Sequence, residues 1–438
     1  MVLGERLAKV TGKGSFLEES ERFKNIEIND IPVMLCEDGS ICCIPKSAEA
    51  KSMGFVGNSG HGKSLLMNRV HSHLFHLWKT NVAIMNDVSE ETYLWSEEMK
   101  NRIFNKFNYG YLNQTPVASP LIYLFPNTKT LEVDRLELEG AQKDFIKIVM
   151  PFDKIIDDIG FYLAGVNPDF TLAKSSMYVN DLRDKLIECD TPSQIREVLQ
   201  SELPGADGKS FQAMRAKILT AFESLFKEEI LDITNPECHA YLKIRELKSM
   251  YNPMTAVMKT KRIPSLITSD LINKKYKSSV FSYFINALFE NNTKDFPNQH
   301  TYMIFDELKD ICTKEDDPAT DAIGRIASRG RIKNVGMCFA TQYYNQIPHK
   351  IRGAKLNFLF AFKHGDDKIV TEIGKDFNLD TKIRKSIKNL KKFECIAMTQ
   401  DEFIFYRDDE KWTSSEPVRG RIFYPLAGHM CPAEVKNE

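Results

Sequence analysis

The chain has 438 residues, of which 42% are apolar and 27% charged, a balance that excludes a disordered, collagenous or coiled-coil protein and fits a folded one. That length accommodates roughly two to three domains, or one large α/β domain carrying an insertion. The formal net charge of −1 excludes a protein that coats nucleic acid through its overall field, while leaving room for a local basic channel balanced by acidic surface elsewhere.

In chain order, residues 31–45 predict a hairpin: Ile31–Cys36, a turn at Asp38-Gly39, then Ile41–Ile44. A short apolar strand at 53–56 runs directly into a Gly-rich turn, and a helix opens at Lys63. Residues 82–85 read as a second buried strand ending in Asn86-Asp87, and 121–125 as a third, stopped by Pro126. From about 133 to 229 strand signals vanish and helical periodicity takes over. There Phe211, Met214, Ile218, Phe222, Leu225 and Phe226 recur at helical spacing and mark one apolar face. Strand signals return at 263–268, followed by a helix over 278–291. Further strands follow at 302–305, ending in Asp306, at 336–340, ending in Thr341-Gln342, and at Phe358–Phe362. A last hairpin is expected from Glu394–Thr399 and residues 403–406. Apolar strands alternating with helices indicate a largely parallel sheet covered on both faces.

The strongest chemical signal is Gly57-Asn58-Ser59-Gly60-His61-Gly62-Lys63-Ser64, which fits the G-x-x-x-x-G-K-[ST] pattern. Glycines let the backbone wrap a phosphate, so that N–H groups from Gly57 through Leu65, at the start of the helix, can point at the anion. Lys63 would reach the β- and γ-phosphates, and the Ser64 hydroxyl would hold Mg²⁺. The second half of the site is Thr301-Tyr302-Met303-Ile304-Phe305-Asp306-Glu307. An apolar strand ending in carboxylates puts them at the sheet edge where ligands bind in open α/β folds. Asp306 would join the Mg²⁺ shell, and Glu307 would be the base that polarises the attacking water. The two motifs stand far apart in the chain, so other strands must lie between them. A small GTPase or simple kinase would place them much closer.

These residues resemble the FtsK/HerA superfamily of DNA-pumping ATPases, over most of the chain. The clearest agreement follows Asp306-Glu307: Gly330-Arg331 precedes an apolar strand ending Ala340-Thr341-Gln342. Further agreement lies at Asp87 and Glu91 after the second strand, at Ser269-Asp270-Leu271, and at Asn357 with the strand behind it. The resemblance implies a RecA-like P-loop NTPase core with a mainly parallel central sheet plus a mainly helical insertion. It implies that Gln342 senses the γ-phosphate or the attacking water. It also makes Arg331 the first candidate for an arginine finger reaching a neighbouring subunit, with Arg325 and Arg329 as competitors. Asn334 replaces the family's usual glycine after the arginine, and asparagine tolerates left-handed backbone better than most residues. Only the hairpin at 31–45 precedes the core, too little for the separate β-barrel that many HerA-type proteins carry.

The implied function is an ATP- and Mg²⁺-dependent, ring-forming homo-oligomer, a hexamer, that translocates double-stranded DNA. The alternative is a secretion or conjugation-apparatus ATPase that moves protein or powers pilus assembly. A membrane or nuclease partner belongs to either. Two basic clusters could face a DNA pore: Lys259, Lys261 and Arg262, and Lys382, Arg384, Lys385, Lys388, Lys391 and Lys392, since phosphate contacts need cations without base specificity. The expected organisation is a short β segment at 1–50, core at 51–132, helical insertion at 133–255, core again at 256–412, and a tail at 413–438. Nine cysteines without zinc-ligand spacing read as reduced thiols. The N-terminus carries no signal pattern, and the uncharged stretch 111–128 contains three prolines and makes a poor membrane span. A cytoplasmic protein, reaching any membrane through a partner, is expected.

Overall fold

Buried parallel strands are selected by continuous apolar runs, because both faces are covered and no polar alternation survives. The computed structural model follows this rule. It describes residues 29–86, 114, 116–126, 145–148, 150–151, 182–189, 191–202, 212, 216, 218–220, 222–223, 231–232, 263–267, 274–295, 300–312, 314–315, 317–408 and 410–426. The run at 87–93, the segment 269–271, the cations Lys259, Lys261 and Arg262, and most of the expected insertion lie outside the described residues.

The strands are β1 (Ile31–Cys36), β2 (Ile41–Ile44), β3 (Ser52–Val56), β4 (Asn81–Asn86), β5 (Leu121–Pro126), β6 (Phe145–Ile148), β7 (Met150–Pro151) and β8 (Leu231–Asp232). They continue with β9 (Ile263–Ile267), β10 (Thr301–Phe305), β11 (Val335–Thr341), β12 (Phe358–Phe362), β13 (Glu394–Thr399), β14 (Phe403–Arg407), β15 (Glu410–Ser414) and β16 (Val418–Ile422). The helices are α1 (Lys63–His76), α2 (Arg183–Ile187), α3 (Pro192–Glu202), α4 (Lys274–Asp295), α5 (Leu308–Ile311), α6 (Pro318–Arg329), α7 (Asp367–Asp376) and α8 (Thr381–Lys388).

The chain forms two compact units. The first comprises residues 1–121, 292–310 and 324–438, the second 122–291 and 311–323. In the first, the strand order is β15-β14-β2-β1-β16-β13-β12-β3-β11-β10-β4. The block β12, β3, β11, β10, β4 is parallel throughout, and every residue of β3, β10, β11 and β12 is buried. Together with the helices that follow its strands, this is the α/β arrangement expected of a RecA-like core. From β13 onward the pairing is antiparallel.

Helix α1 packs against β1, β3, β4 and β11. Its inner face carries Arg69, which is fully buried. A buried guanidinium is tolerated only when its donors are used. Here they go to the carbonyls of Pro32 and Tyr424 and, at 2.8 Å, to Gln114 Oε1, with the Phe423 ring below. One side chain thus ties the helix to β1 and to the segment after β16. In the second unit β5 pairs parallel with β6 and β7 with β8. Of the predicted apolar stripe, Ile218 and Phe222 are described, and both are buried.

Three differences from the sequence reading stand out. The expected last hairpin is not one: β13 pairs with β12 and β16, while β14 pairs with β15 and β2. The chain turns a corner between them, and Phe403 packs its ring on Phe358 and Phe360 of β12. Burying an aromatic outweighs local pairing there. Residues 418–422, read as tail, form β16 between β1 and β13. Its sequence, Val-Arg-Gly-Arg-Ile, lacks an apolar run because Arg419 and Arg421 stay half-exposed. Within the stretch read as helical, residues 145–148 form β6, a strand too short for a periodicity signal.

Candidate nucleotide-hydrolysis site

Strand β3 delivers the chain into the turn at residues 57–62, and Gly62 caps α1 in left-handed backbone at φ 112°. A side chain at Gly62 would also collide with Ile422, whose Cδ1 would lie 2.8 Å from the added Cβ. At Gly57 a Cβ would come within 2.6 Å of Phe362 Cβ. The turn is suspended from three neighbours. Gly57 N donates to Thr341 O at 3.3 Å, Asn58 N to Lys363 O at 3.0 Å, and Phe393 N to His61 O at 3.2 Å. Lys63 is buried, and its ammonium donates to Asn58 O at 3.1 Å, folding across the turn.

Ser59 and Gly60 are exposed at the mouth, and nothing lies within 4 Å of a Cβ built on Gly60. The first N–H groups of any helix lack intrahelical acceptors, so α1 presents donors to this mouth. The electrostatics agree. Burial, then the charges of Lys363, Lys63 and Lys392, hold the His61 imidazole below its usual range. His61 Nδ1 is buried without a hydrogen-bond partner among the described residues. Three lysines around a loop of backbone donors suit a polyphosphate, and the Ser64 hydroxyl and Asp306 carboxylate are the hard oxygens a Mg²⁺ ion prefers.

Strand β11 is inserted between β3 and β10: Thr341 stands opposite Val56, and Phe305 opposite Phe339. The turn after β3, the carboxylates after β10 and the Thr341-Gln342 tip of β11 therefore share one edge of the sheet. Asp306 N donates to Met85 O at 3.3 Å. Glu307 sits in left-handed backbone at φ 47°. Its Oε1 accepts from the Thr341 hydroxyl at 3.1 Å and from Gln342 N at 3.3 Å. Tyr343 N in turn donates to Thr341 Oγ1 at 3.1 Å. A carboxylate on one strand tip thus holds the tip of the next, one strand from the Gly-rich turn.

No protein-family model and no curated protein matches the sequence. Solved structures do match in fold. The unbound bacterial conjugative coupling protein TrwBdeltaN70 is 11% identical with a TM-score of 0.53, covering 96% of this chain and 94% of that one. VirB4 of Thermoanaerobacter pseudethanolicus is 12% identical with a TM-score of 0.52, covering 93% and 98%. Plasmid coupling protein TrwB in complex with the non-hydrolysable GTP analogue GDPNP is 11% identical with a TM-score of 0.51, covering 96% and 95%. The fold is the one these proteins share, a RecA-like P-loop NTPase fold.

Within this P-loop NTPase fold, Arg331 lies away from the Gly-rich turn. It is exposed on the 3-10 turn Gly330–Lys333 ahead of β11, at the strand end opposite Thr341. A seven-residue strand spans about 20 Å, so Arg331 does not join the cluster around its own chain's Lys63. Arg325 and Arg329 are exposed on α6. Asn334 adopts φ 55°, ψ 35°, the left-handed turn that its side chain was expected to tolerate.

Two contributors escaped the sequence reading. His364, two residues past β12, is buried, and its Nε2 bonds Gln342 O at 2.9 Å. Lys363 supplies the carbonyl that holds Asn58 and one of the charges on His61. The only signal for either was position, just beyond the end of an apolar strand. The second basic cluster falls on α8 and the strap after it. Lys388 pairs with Asp367, whereas Lys382, Lys385 and Lys391 are exposed.

Proposed function

We propose that this chain is an ATPase that uses Mg²⁺ and ATP hydrolysis to drive translocation of double-stranded DNA, acting as a homo-oligomeric ring, a hexamer. The observation that carries the reading is the arrangement of Glu307. Its carboxylate reaches across to the tip of β11, which itself neighbours the strand feeding the Gly-rich turn.

In this reading the backbone from Gly57 through Asn58, Ser59, Gly60, His61 and Gly62 to Leu65 wraps the phosphates. Lys63 exchanges its bond to Asn58 O for the β- and γ-oxygens. Ser64 and Asp306 hold Mg²⁺, which when bound neutralises charge developing on the phosphoryl oxygens. Glu307 takes the proton of the attacking water, and Gln342 orients that water from the neighbouring strand tip. Arg331 acts on the nucleotide of an adjacent copy, with Arg325 and Arg329 next in line. Its position at the far end of β11 supports action between copies and not within one.

Double-stranded DNA as cargo is supported by the fold shared with a conjugative coupling protein and by the exposed cations Lys382, Lys385 and Lys391, which suit contacts to phosphates without base reading. Among the described residues no helix is long and apolar enough to cross a membrane; a membrane or nuclease partner protein belongs to this reading as a further expectation. The test is steady-state ATP turnover with and without double-stranded DNA over a range of salt. Stimulation that falls steeply as salt rises is expected. Turnover indifferent to DNA but raised by a membrane-apparatus protein would replace this cargo with protein transport or pilus assembly.

A further inference from the structure

The backbone of Gln342 is gripped at both of its polar groups. Its N–H donates to Glu307 Oε1 at 3.3 Å. Its carbonyl meets His364 Nε2 at 2.9 Å. The imidazole is itself fixed: Asp366 N donates to His364 Nδ1 at 3.1 Å, so Nδ1 is the acceptor and the ring proton sits on Nε2, facing Gln342 O. His364 is only 5% exposed, which leaves little competition from water. Asp366 is anchored in turn, because its side chain caps α7 by accepting from Lys368 N. The donor that holds the Gln342 carbonyl is therefore locked in tautomer and direction by the start of a helix.

From this geometry we propose that His364 is a positioning residue for hydrolysis, holding the Gln342 backbone in place so that its side-chain amide keeps its aim while Glu307 does its chemistry. The proposal rests on the ATPase reading above. Glu307 spends one oxygen on Thr341 and Gln342, and a carboxylate that turns toward an attacking water loosens those bonds. His364 does not depend on them. It anchors Gln342 from β12, the strand on the far side of β3, and keeps the strand tip registered to the Gly-rich turn, whose Asn58 N is bonded to the adjacent Lys363 O.

Two substitutions separate this role from simple packing. In His364→Asn the shorter amide retains an acceptor within reach of Asp366 N but falls short of Gln342 O. In His364→Gln the longer amide restores a donor at the position of Nε2. The expected result for His364→Asn is a kcat lowered by about 10- to 100-fold, the range that misplacing a reacting group by about 1 Å produces. Its affinity for a non-hydrolysable ATP analogue should stay within about threefold of wild type, because the Gly-rich turn is untouched. His364→Gln should recover most of kcat, with both variants melting near wild type. Wild-type kcat in His364→Asn overturns the proposal, as does an equal loss in the two variants or a parallel loss of analogue affinity. Lys63→Ala is measured alongside. Absence of any Lys63-dependent turnover in the wild-type chain refutes the ATPase reading instead, which makes the two failures distinct.

Discussion

Glu307 is a glutamate in a backbone region that favours glycine, at φ 47°. A non-glycine residue held there costs on the order of 1–3 kcal/mol and persists only where its surroundings hold it. Here the surroundings are the Thr341 hydroxyl and the Gln342 amide. Both donate to a carboxylate oxygen, and both would still find an acceptor in the carbonyl oxygen of a glutamine. Glu307→Gln should therefore keep the strand tip and bind ATP, yet lose the base. A fall in turnover of about 10²- to 10⁴-fold is expected, read as phosphate release beside retained binding of radiolabelled ATP. Near-normal release would remove Glu307 from the role. The carboxylate after an apolar strand was legible from residue order alone. The bond to Thr341 was not, because it joins residues whose proximity depends on strand order.

At the scale of elements, α1 carries its polar residues inward. His71 and His73 are fully buried on it. Burial holds His71 down to about 3 and pushes His73 well below its usual range. His71 Nδ1 bonds the Asn68 carbonyl at 3.1 Å, and His73 Nδ1 donates to the Arg69 carbonyl at 2.8 Å while Gln114 donates to its Nε2. Both imidazoles are therefore neutral in the fold. The unfolded chain takes up protons at these histidines near the ordinary imidazole value of 6.5, the native chain only at far lower pH. Their contribution to stability is complete above that value and is lost progressively as pH falls below 6.5, for His71 down to about 3. The slope is about 1.4 kcal/mol per pH unit for each. Thermal midpoints between pH 7 and pH 5 should drop accordingly. A flat profile across that window would mean that α1 does not bury neutral imidazoles. The sequence announced α1 through Gly62 and Lys63 but not which of its faces is inward, since buried histidines and an arginine mask the apolar stripe. The same limit misled the hairpin expectation at β13 and β14. Adjacent strands with a three-residue connection pair by default, and only the aromatic contacts of Phe403 with β12 overrule it.

At the scale of the whole molecule, the first compact unit presents the Gly-rich turn at one end of β11 and Arg331 at the other, next to Ile332, which is 80% exposed. A cation that cannot serve its own chain's site suits a head-to-tail ring, in which each copy completes the next. Arg331→Ala and Lys63→Ala should each be inactive as pure rings. Mixed, they should regain part of the activity, because an intact turn in one copy then faces an intact arginine in its neighbour. Recovery on mixing, measured as turnover against the mole fraction of each variant, is the expected outcome. No recovery at any ratio passes the role to Arg325 or Arg329. By itself, the sequence determined the Gly-rich turn, the strand-end carboxylates, the Ala340-Thr341-Gln342 tip and the parallel α/β character, because each is written in local residue type and spacing. Only the tertiary structure decided that β11 separates β3 from β10, that Glu307 grips Thr341, and that His364 backs Gln342. Those are choices of neighbour between segments distant in the chain. They are settled by which surfaces can be buried together, a quantity that no local window of residues contains.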